Sequence, residues 1–341
     1  MALTPSPAGE DVDLALPVHG GDLAAAEARW GVPAQGWLDL STGVNPWPYP
    51  LPSIAAAAWS RLPGNSEHQA LLTAAARRWR VGADARVVAA PGSQALIQLL
   101  PRLIAPGPVA VIGPTYGEHA RAWSAAGHAV AEVGDPDAVG NAAAVVVVNP
   151  NNPDGSVLAP ARLAALADSL AARGGLLVVD EAFADTQPEI SVIPRSRPGL
   201  VVLRSFGKFY GLAGLRLGFA VAVPAMAERL AAMLGPWPVS GPALAVGSAA
   251  LADDAWAVAT AARLKEATGR LRQLLERNGL EICGGTALFT LVRHPAADRL
   301  YHRLGRAGIL VRAFAGRPDR LRLGVPGDES AMARLGHALG D

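Results

Sequence analysis

The stretch SFGKFYGLAGLRLG, residues 205–218, decides how the rest of the chain is read. Lys208 stands there among small and aromatic residues with no other cation beside it, and Arg216 follows eight positions later. A charged lysine in apolar surroundings is costly unless it is satisfied. One reading is a surface lysine on a Gly-rich loop, which is what most lysines are. A phosphate-binding P-loop fits poorly, because that motif needs Gly-Lys-Ser/Thr and here Phe209 follows Lys208. The third reading is imine formation. Lysine suits that role because burial lowers its pKa and frees the amine as a nucleophile. It requires partners elsewhere in the chain.

Working outward, short β-branched runs alternate with helical patterns. The runs are residues 86–90, 108–113, 128–133, 142–149, 175–181, 199–205 and 215–223. A helix candidate between two of them, LAPARLAALADSLAARGG, has Pro160 near its start and Gly174 just past its end. Strand, helix, strand repeated in this way implies an α/β fold with a largely parallel sheet covered on both faces. The runs are apolar throughout, as strands buried on both sides should be. The last two are joined by a Gly-rich loop too short for a crossover helix, so one antiparallel strand is expected. From about Pro236 the pattern changes. A long helical stretch, 249–278, precedes strand candidates ALFTLV, GILVRAF and RLRLGV, which reads as a smaller α+β domain. The first forty or so residues read as an irregular arm leading into a first helix near 54–61. The expected organisation is an arm (1–46) packed with the small domain, a large domain (47–235) and a C-terminal small domain (236–341).

Composition narrows the function classes. The chain has 341 residues, 51% hydrophobic and 17% charged, which is a globular composition long enough for a large domain and a smaller one. A formal net charge of +1 makes no electrostatic case for a nucleic-acid or membrane partner. The single cysteine, Cys283, excludes an intrachain disulfide, which suits a reducing compartment. Lying in EICGG with no base near it in sequence, it is a poor candidate nucleophile. No lysine or arginine precedes Arg29 and the apolar windows are broken by Pro or Gly, so neither a signal peptide nor a bilayer span is expected. The expected location is the cytoplasm. No metal is expected.

The polar motifs fall where the runs end. VVVVNPNNPDG places Asn149 and Asn152 at the end of one, GLLVVDEAF places Asp180 at the next, and GLVVLRSFGK places Ser205 and Lys208 at the one after. In an open parallel sheet the carboxyl ends of the strands form the ligand crevice. RVVAAPGSQALIQLL adds Gly92, Ser93 and Gln94 at a strand-to-helix turn, where free N–H groups favour an anion. An imine-forming Lys, an Asp that can hold a pyridinium proton and an Asn that can reach a phenolic oxygen match pyridoxal 5'-phosphate (PLP). The phosphate would take the turn of Gly92, Ser93 and Gln94 together with Ser205 and Arg216. Tyr116, in GPTYGEH, can stack on the ring. Taken singly, Asp180 is a cap or an ion-pair partner, Tyr116 is core, Ser93 is an N-cap and the Asn-Asn-Pro run is a turn. Their joint order carries the reading.

Over nearly its full length the chain resembles the fold-type I PLP enzymes of the aminotransferase class I/II group. NPNNPDG is similar to that group's Asn-Asn-Pro loop, DEAF to its Asp-Glu-Ala-Tyr/Phe segment, and SFGKFYGLAGLRLG to its lysine block. The resemblance implies a seven-stranded, mostly parallel sheet covered by helices, a smaller α+β domain and a homodimer. More narrowly, HGGDL (19–23), DLSTGVNPWPYP (39–50) and PWPVS resemble the threonine-phosphate decarboxylase subgroup of the cobalamin pathway. That implies a small phosphorylated amino acid as substrate, Lys208 and Asp180 as catalytic residues, and substrate contacts by His19, Gly20, Asn45, Asn152, Arg312 and Arg322. Arg317 and Arg320 read as solvated neighbours. Three positions depart from the pattern: Phe183 replaces a ring-contacting Tyr, Asp154 replaces a Thr, and near Leu62 a Tyr that reaches the partner's cofactor is missing. Two rivals stay open. One is transamination of the histidinol-phosphate aminotransferase type; the other is a catalytically inactive PLP-fold binding protein, against which the intact Lys208 and Asp180 argue.

Overall fold

The computed structural model describes residues 19–340; the first eighteen residues of the expected N-terminal arm and residue 341 lie outside the described residues. The described part opens with α1 (Leu23–Trp30), β1 (Leu38–Asp39), α2 (Ala57–Ser60) and α3 (Asn65–Arg78). Strands β2 (Arg86–Ala90), β3 (Pro108–Ile112), β4 (Ala129–Val133), β5 (Ala144–Val148), β6 (Leu176–Asp180), β7 (Leu200–Ser205) and β8 (Gly218–Ala222) then form one seven-stranded sheet. Its order is β2-β8-β7-β6-β5-β3-β4. Only β8 runs against its neighbours, β2 and β7; the other pairs are parallel. Each of the seven runs expected from the sequence supplies one of these strands. Every residue of β5, β6 and β8 is buried. Side chains alternate between two cores. Val145, Val147, Leu177 and Val179 pack on one face, and Ala144, Val146, Leu176 and Val178 on the other.

Between the strands run α4 (Ser93–Leu99), α5 (Glu118–Ala125), α6 (Pro160–Ala171) and the one-turn α7 (Phe206–Phe209), followed by α8 (Pro224–Leu234), α9 (Gly241–Ala252) and α10 (Asp254–Arg277). The C-terminal part adds β9 (Glu281–Thr286), β10 (Phe289–Arg293), α11 (Ala297–Arg306), β11 (Ile309–Leu310), β12 (Arg312–Ala313), β13 (Arg320–Gly324) and α12 (Glu329–Gly340). Four of its strands form an antiparallel sheet in the order β12-β13-β10-β9. A third core, with Leu271, Leu275, Val292, Leu323 and Leu335, lies between this sheet and its helices. The N-terminal segment reaches it directly: Leu38 and Asp39 of β1 pair in parallel with Ile309 and Leu310 of β11.

Several local expectations are corrected. The N-terminal segment is not wholly irregular, since α1 is capped by Asp22, whose carboxylate accepts from Ala25 N at 2.9 Å. Only Ala26 of this Ala-rich helix is buried, so it carries almost no apolar periodicity to read. The helix expected at 54–61 is reduced to the four residues of α2. The long helix expected at 249–278 is broken at Asp253, whose side chain accepts from Trp256 N at 2.9 Å and starts α10. Strand β9 was not anticipated, because its sequence EICGGT contains two glycines and few strand formers. Among the described residues, no helix is long and apolar enough to cross a membrane.

Candidate active site

Parallel register brings the ends of β5, β6 and β7 to one edge, with Val148 opposite Asp180 and Asp180 opposite Leu203. A cavity of about 500 Å³ opens there, between the large sheet and the strands β12 and β13. Lys208, Asp180, Ser205, Gly92, Ser93, Gln94, Tyr116 and Arg216 all line it. So do His19, Gly20, Asn152, Arg312 and Arg322.

Lys208 sits on the single turn α7, directly after β7. Burial is the main cause that pulls its ammonium from 10.5 down to about 8; Arg322 and Arg216 add to the fall and Asp180 opposes it. Its Nζ lies 5.8 Å from the centre of the Phe183 ring. Phe183 is itself buried and meets Phe289 edge-on at 5.0 Å, so no hydroxyl is offered at this position.

Asn45 is the exception among the expected contacts. It does not line the cavity. Its backbone N–H donates to Lys208 O at 2.9 Å, its Nδ2 donates to Phe209 O at 2.8 Å, and its Oδ1 accepts from Trp47 N at 2.9 Å. The amide oxygen and one of the two amide N–H groups are thus engaged by the chain around the lysine. Asn149 is similar, exchanging two hydrogen bonds with the backbone of Leu158 and closing the Asn-Asn-Pro loop. Asp154 fills the place of the expected Thr and accepts from Asn151 Nδ2 and Ser156 N at 2.9 and 3.0 Å.

Asp180 ends β6 at 3% exposure. Its Oδ1 accepts from Ala182 N at 3.0 Å and its Oδ2 lies 2.9 Å from His119 Nε2. The sequence reading missed His119. TYGEH did carry a signal, because a spacing of three into a helix sets two side chains on the same side. The rings of Tyr116 and His119 are 6.1 Å apart at 84°. The Tyr116 hydroxyl donates to Gln94 Oε1 at 3.3 Å, and burial, followed by the Glu118 carboxylate, pushes its pKa up to about 12.

Gly92 has φ +88°, and a Cβ built on it would meet Arg216 Nη2 at 2.8 Å. Only glycine therefore lets this arginine lie across the turn that starts α4. Arg216 is itself left-handed, with φ +55°.

At the opposite wall Arg312 and Arg322 are direct register partners on β12 and β13. Arg322 is 7% exposed and donates to Asn152 Oδ1 and to Ser41 O, the latter at 2.8 Å. Burial, with Arg312 adding to it and Asp39 opposing, lowers its pKa to about 10. Burial also lowers Arg312. Arg320, two residues before Arg322 on the same face of β13, lines the cavity and is half-buried, so it is not simply solvated. Arg317 is exposed but lies at the mouth of the cavity. The turn of His19 and Gly20 rests on Ser41, where a Cβ on Gly20 would meet Ser41 O at 2.4 Å. Gly21 N donates to Ser41 Oγ at 2.7 Å. Among the described residues no group of three His, Cys, Asp or Glu could hold a metal.

The family model "Aminotransferase class I and II" matches residues 54–339. A protein of Pseudomonas aeruginosa named threonine-phosphate decarboxylase is 48% identical over 325 residues, covering 94% of this chain and 96% of its own. A histidinol-phosphate aminotransferase of Thermobifida fusca is 31% identical over 331 residues, covering 88% of each. Among solved structures, the histidinol-phosphate aminotransferase of Sinorhizobium meliloti in complex with pyridoxal-5'-phosphate superposes with a TM-score of 0.80 at 24% identity over 93% of each chain. The seven-stranded, mostly parallel sheet agrees with these matches, and the chain belongs to the aminotransferase class I and II family.

Proposed function

We propose that this protein is a PLP-dependent carboxy-lyase that converts L-threonine O-3-phosphate to (R)-1-aminopropan-2-yl phosphate, a step of cobalamin biosynthesis. The observation that supports this most is the register pair Arg312 and Arg322, facing Lys208 and Asp180 across a single cavity. Guanidinium is always charged and bidentate, so this wall suits a substrate with two anions. The 48% identity to a protein named threonine-phosphate decarboxylase points the same way.

The residues present fit the cofactor. The Cβ-free surface of Gly92 under Arg216, the lysine whose ammonium is lowered and the buried carboxylate match the phosphate, aldehyde and ring nitrogen of PLP. When bound, PLP supplies an electron sink for the carbon that bears the amino group. Lys208 would hold the cofactor and later move a proton at the substrate Cα. Asp180, oriented by His119, would keep the ring nitrogen protonated. Gly92, Ser93 and Gln94 N–H groups, Ser205 and Arg216 would hold the cofactor phosphate, and Tyr116 would cover the ring. Asn152 has its Oδ1 taken by Arg322, which leaves Nδ2 as its donor. Arg312, Arg322, His19 and Gly20 would anchor the substrate carboxylate and phosphate. The anchoring selects which bond of Cα is presented for cleavage. Asn45 would act beneath, by fixing the backbone of Lys208 and Phe209.

The same reading includes an arm (1–46), a large domain (47–235) and a small domain (236–341), a homodimer, and a cytoplasmic location. The pairing of β1 with β11 supports the arm's attachment to the small domain. Transamination is the second reading, favoured by the similarity to the Thermobifida fusca aminotransferase. Carbon dioxide release from threonine phosphate without a 2-oxo acid separates the two.

A further inference from the structure

We propose that Glu118 is a positioning residue that joins His19, Arg121 and Gln94 into one wall of the cavity and thereby sets the affinity for the substrate's phosphate. The proposal rests on the reading of the cavity as a site for a phosphorylated amino acid. Glu118 is the first residue of α5 and does not itself line the cavity. Its Oε1 lies 3.2 Å from His19 Nε2 and accepts from Arg121 Nη1 at 2.6 Å. Its Oε2 accepts from Gln94 Nε2 at 3.2 Å, and Gln94 in turn accepts from the Tyr116 hydroxyl. One carboxylate therefore ties the N-terminal turn, α5, α4 and the residue set against the cofactor ring.

The side chains of His19 and Arg121 are 51% and 55% exposed, against 16% for Glu118. Left alone, two long exposed side chains would sample several rotamers, and ordering them on binding opposes affinity. Glu118 orders them beforehand. Arg121 lines the same cavity as Arg312, and its charge adds slightly to the burial that lowers that arginine's pKa. A carboxylate behind an anion site has an opposing effect, because its charge repels a dianion. The two effects have opposite signs, so removing the charge either weakens or strengthens phosphate binding according to which one dominates.

The experiment uses the PLP-loaded protein and the variants Glu118→Gln, Glu118→Asp, His19→Gln and the Glu118→Gln/His19→Gln pair. Inorganic phosphate binding is measured by calorimetry, and KM and kcat with threonine phosphate. Retention of the visible cofactor band and of the melting temperature reports folding. Positioning predicts that Glu118→Gln weakens phosphate binding and raises KM by roughly ten-fold, with kcat within about two-fold, and that the double variant is no worse than the worse single one. Glu118→Asp keeps the charge but shortens the reach, so it too weakens binding, and it keeps the test open where Gln does not fold. Phosphate affinity and KM that improve in Glu118→Gln, or a Glu118→Asp variant equal to wild type, overturn the proposal. Should the wild type release no carbon dioxide while phosphate affinity still falls in the variants, the decarboxylase reading fails and the positioning role stands.

Discussion

Asp180 Oδ2 lies 2.9 Å from His119 Nε2 in a pair that is almost wholly buried, at 3% and 1% exposure. Such a carboxylate has one oxygen spent on the imidazole and the other on Ala182 N, which fixes its plane. Asp180→Asn keeps the size and removes the charge. The variant should still bind PLP, with turnover reduced by roughly 10²–10³-fold. Equilibrium dialysis with PLP and a steady-state assay check both halves. Near-wild-type turnover would assign the charge to another group.

The lowered Lys208 gives a pH dependence with a definite sign. In the protein without cofactor its ammonium titrates at about 8 against 10.5 for an ordinary lysine. The free amine is the form that reacts, so the rate of PLP uptake should rise with pH around a midpoint near 8. The unfolded chain holds this proton up to about 10.5, so between about 8 and 10.5 it binds more protons than the folded one. Stability of the cofactor-free protein should therefore rise with pH over that window. Stopped-flow uptake with a midpoint near 10.5 would contradict the burial of the amine. Borohydride reduction followed by peptide mapping should locate the cofactor on Lys208.

Gly92→Ala tests the cofactor cradle. At φ +88° and ψ 153° the backbone is in a region that L-residues avoid, and the added methyl meets Arg216 at 2.8 Å. The expected result is about 1–3 kcal/mol of lost stability and a PLP affinity lower by roughly ten-fold or more. A thermal melt and a PLP titration measure the two. Unchanged affinity would show that the turn does not hold the phosphate.

Arg322→Gln removes a buried guanidinium that holds Asn152 Oδ1 and Ser41 O. Each charged hydrogen bond is worth about 1.5–3 kcal/mol, so KM for threonine phosphate should rise roughly ten- to a hundred-fold. The cofactor band should stay, since the proposed cofactor contacts of Arg216 and Ser205 are untouched. Loss of the band together with the rise in KM would place Arg322 in cofactor binding instead.

Strands β5, β6 and β8 were legible because they are buried on both faces and read as unbroken apolar runs, whereas the edge strand β4, with three exposed residues and Glu132, was read from its β-branched Val130 and Val133 and its place in the rhythm. The ends of the buried strands were legible for the same reason, and with them Asp180, Ser205 and Lys208. Helix α1 was not, since an Ala-rich helix with one buried residue has no apolar stripe to detect. His119, Glu118 and Arg121 were missed because their importance lies in contacts with distant residues, as in the His119–Asp180 pair, 61 positions apart. Asn45 is expected against the ligand; in the structure its amide bonds Phe209 O and Trp47 N, and it does not line the cavity. A motif reports which residue is present; only packing reports which way its hydrogen bonds run. Arg320 was read as solvated from its neighbours in sequence, but strand alternation puts it on the face of Arg322.

The measurement that bears most directly on the proposed activity is the product balance of the PLP-loaded protein given L-threonine O-3-phosphate alone. The arginine pair Arg312 and Arg322 suits a substrate with two anions, and on the proposed reading anchoring both would present the Cα–carboxylate bond for cleavage. Carbon dioxide should be released in repeated turnovers with no 2-oxo acid present, one (R)-1-aminopropan-2-yl phosphate forming for each. The cofactor should not accumulate in its amine form. Turnover that requires 2-oxoglutarate and yields glutamate would contradict the account and establish transamination in its place.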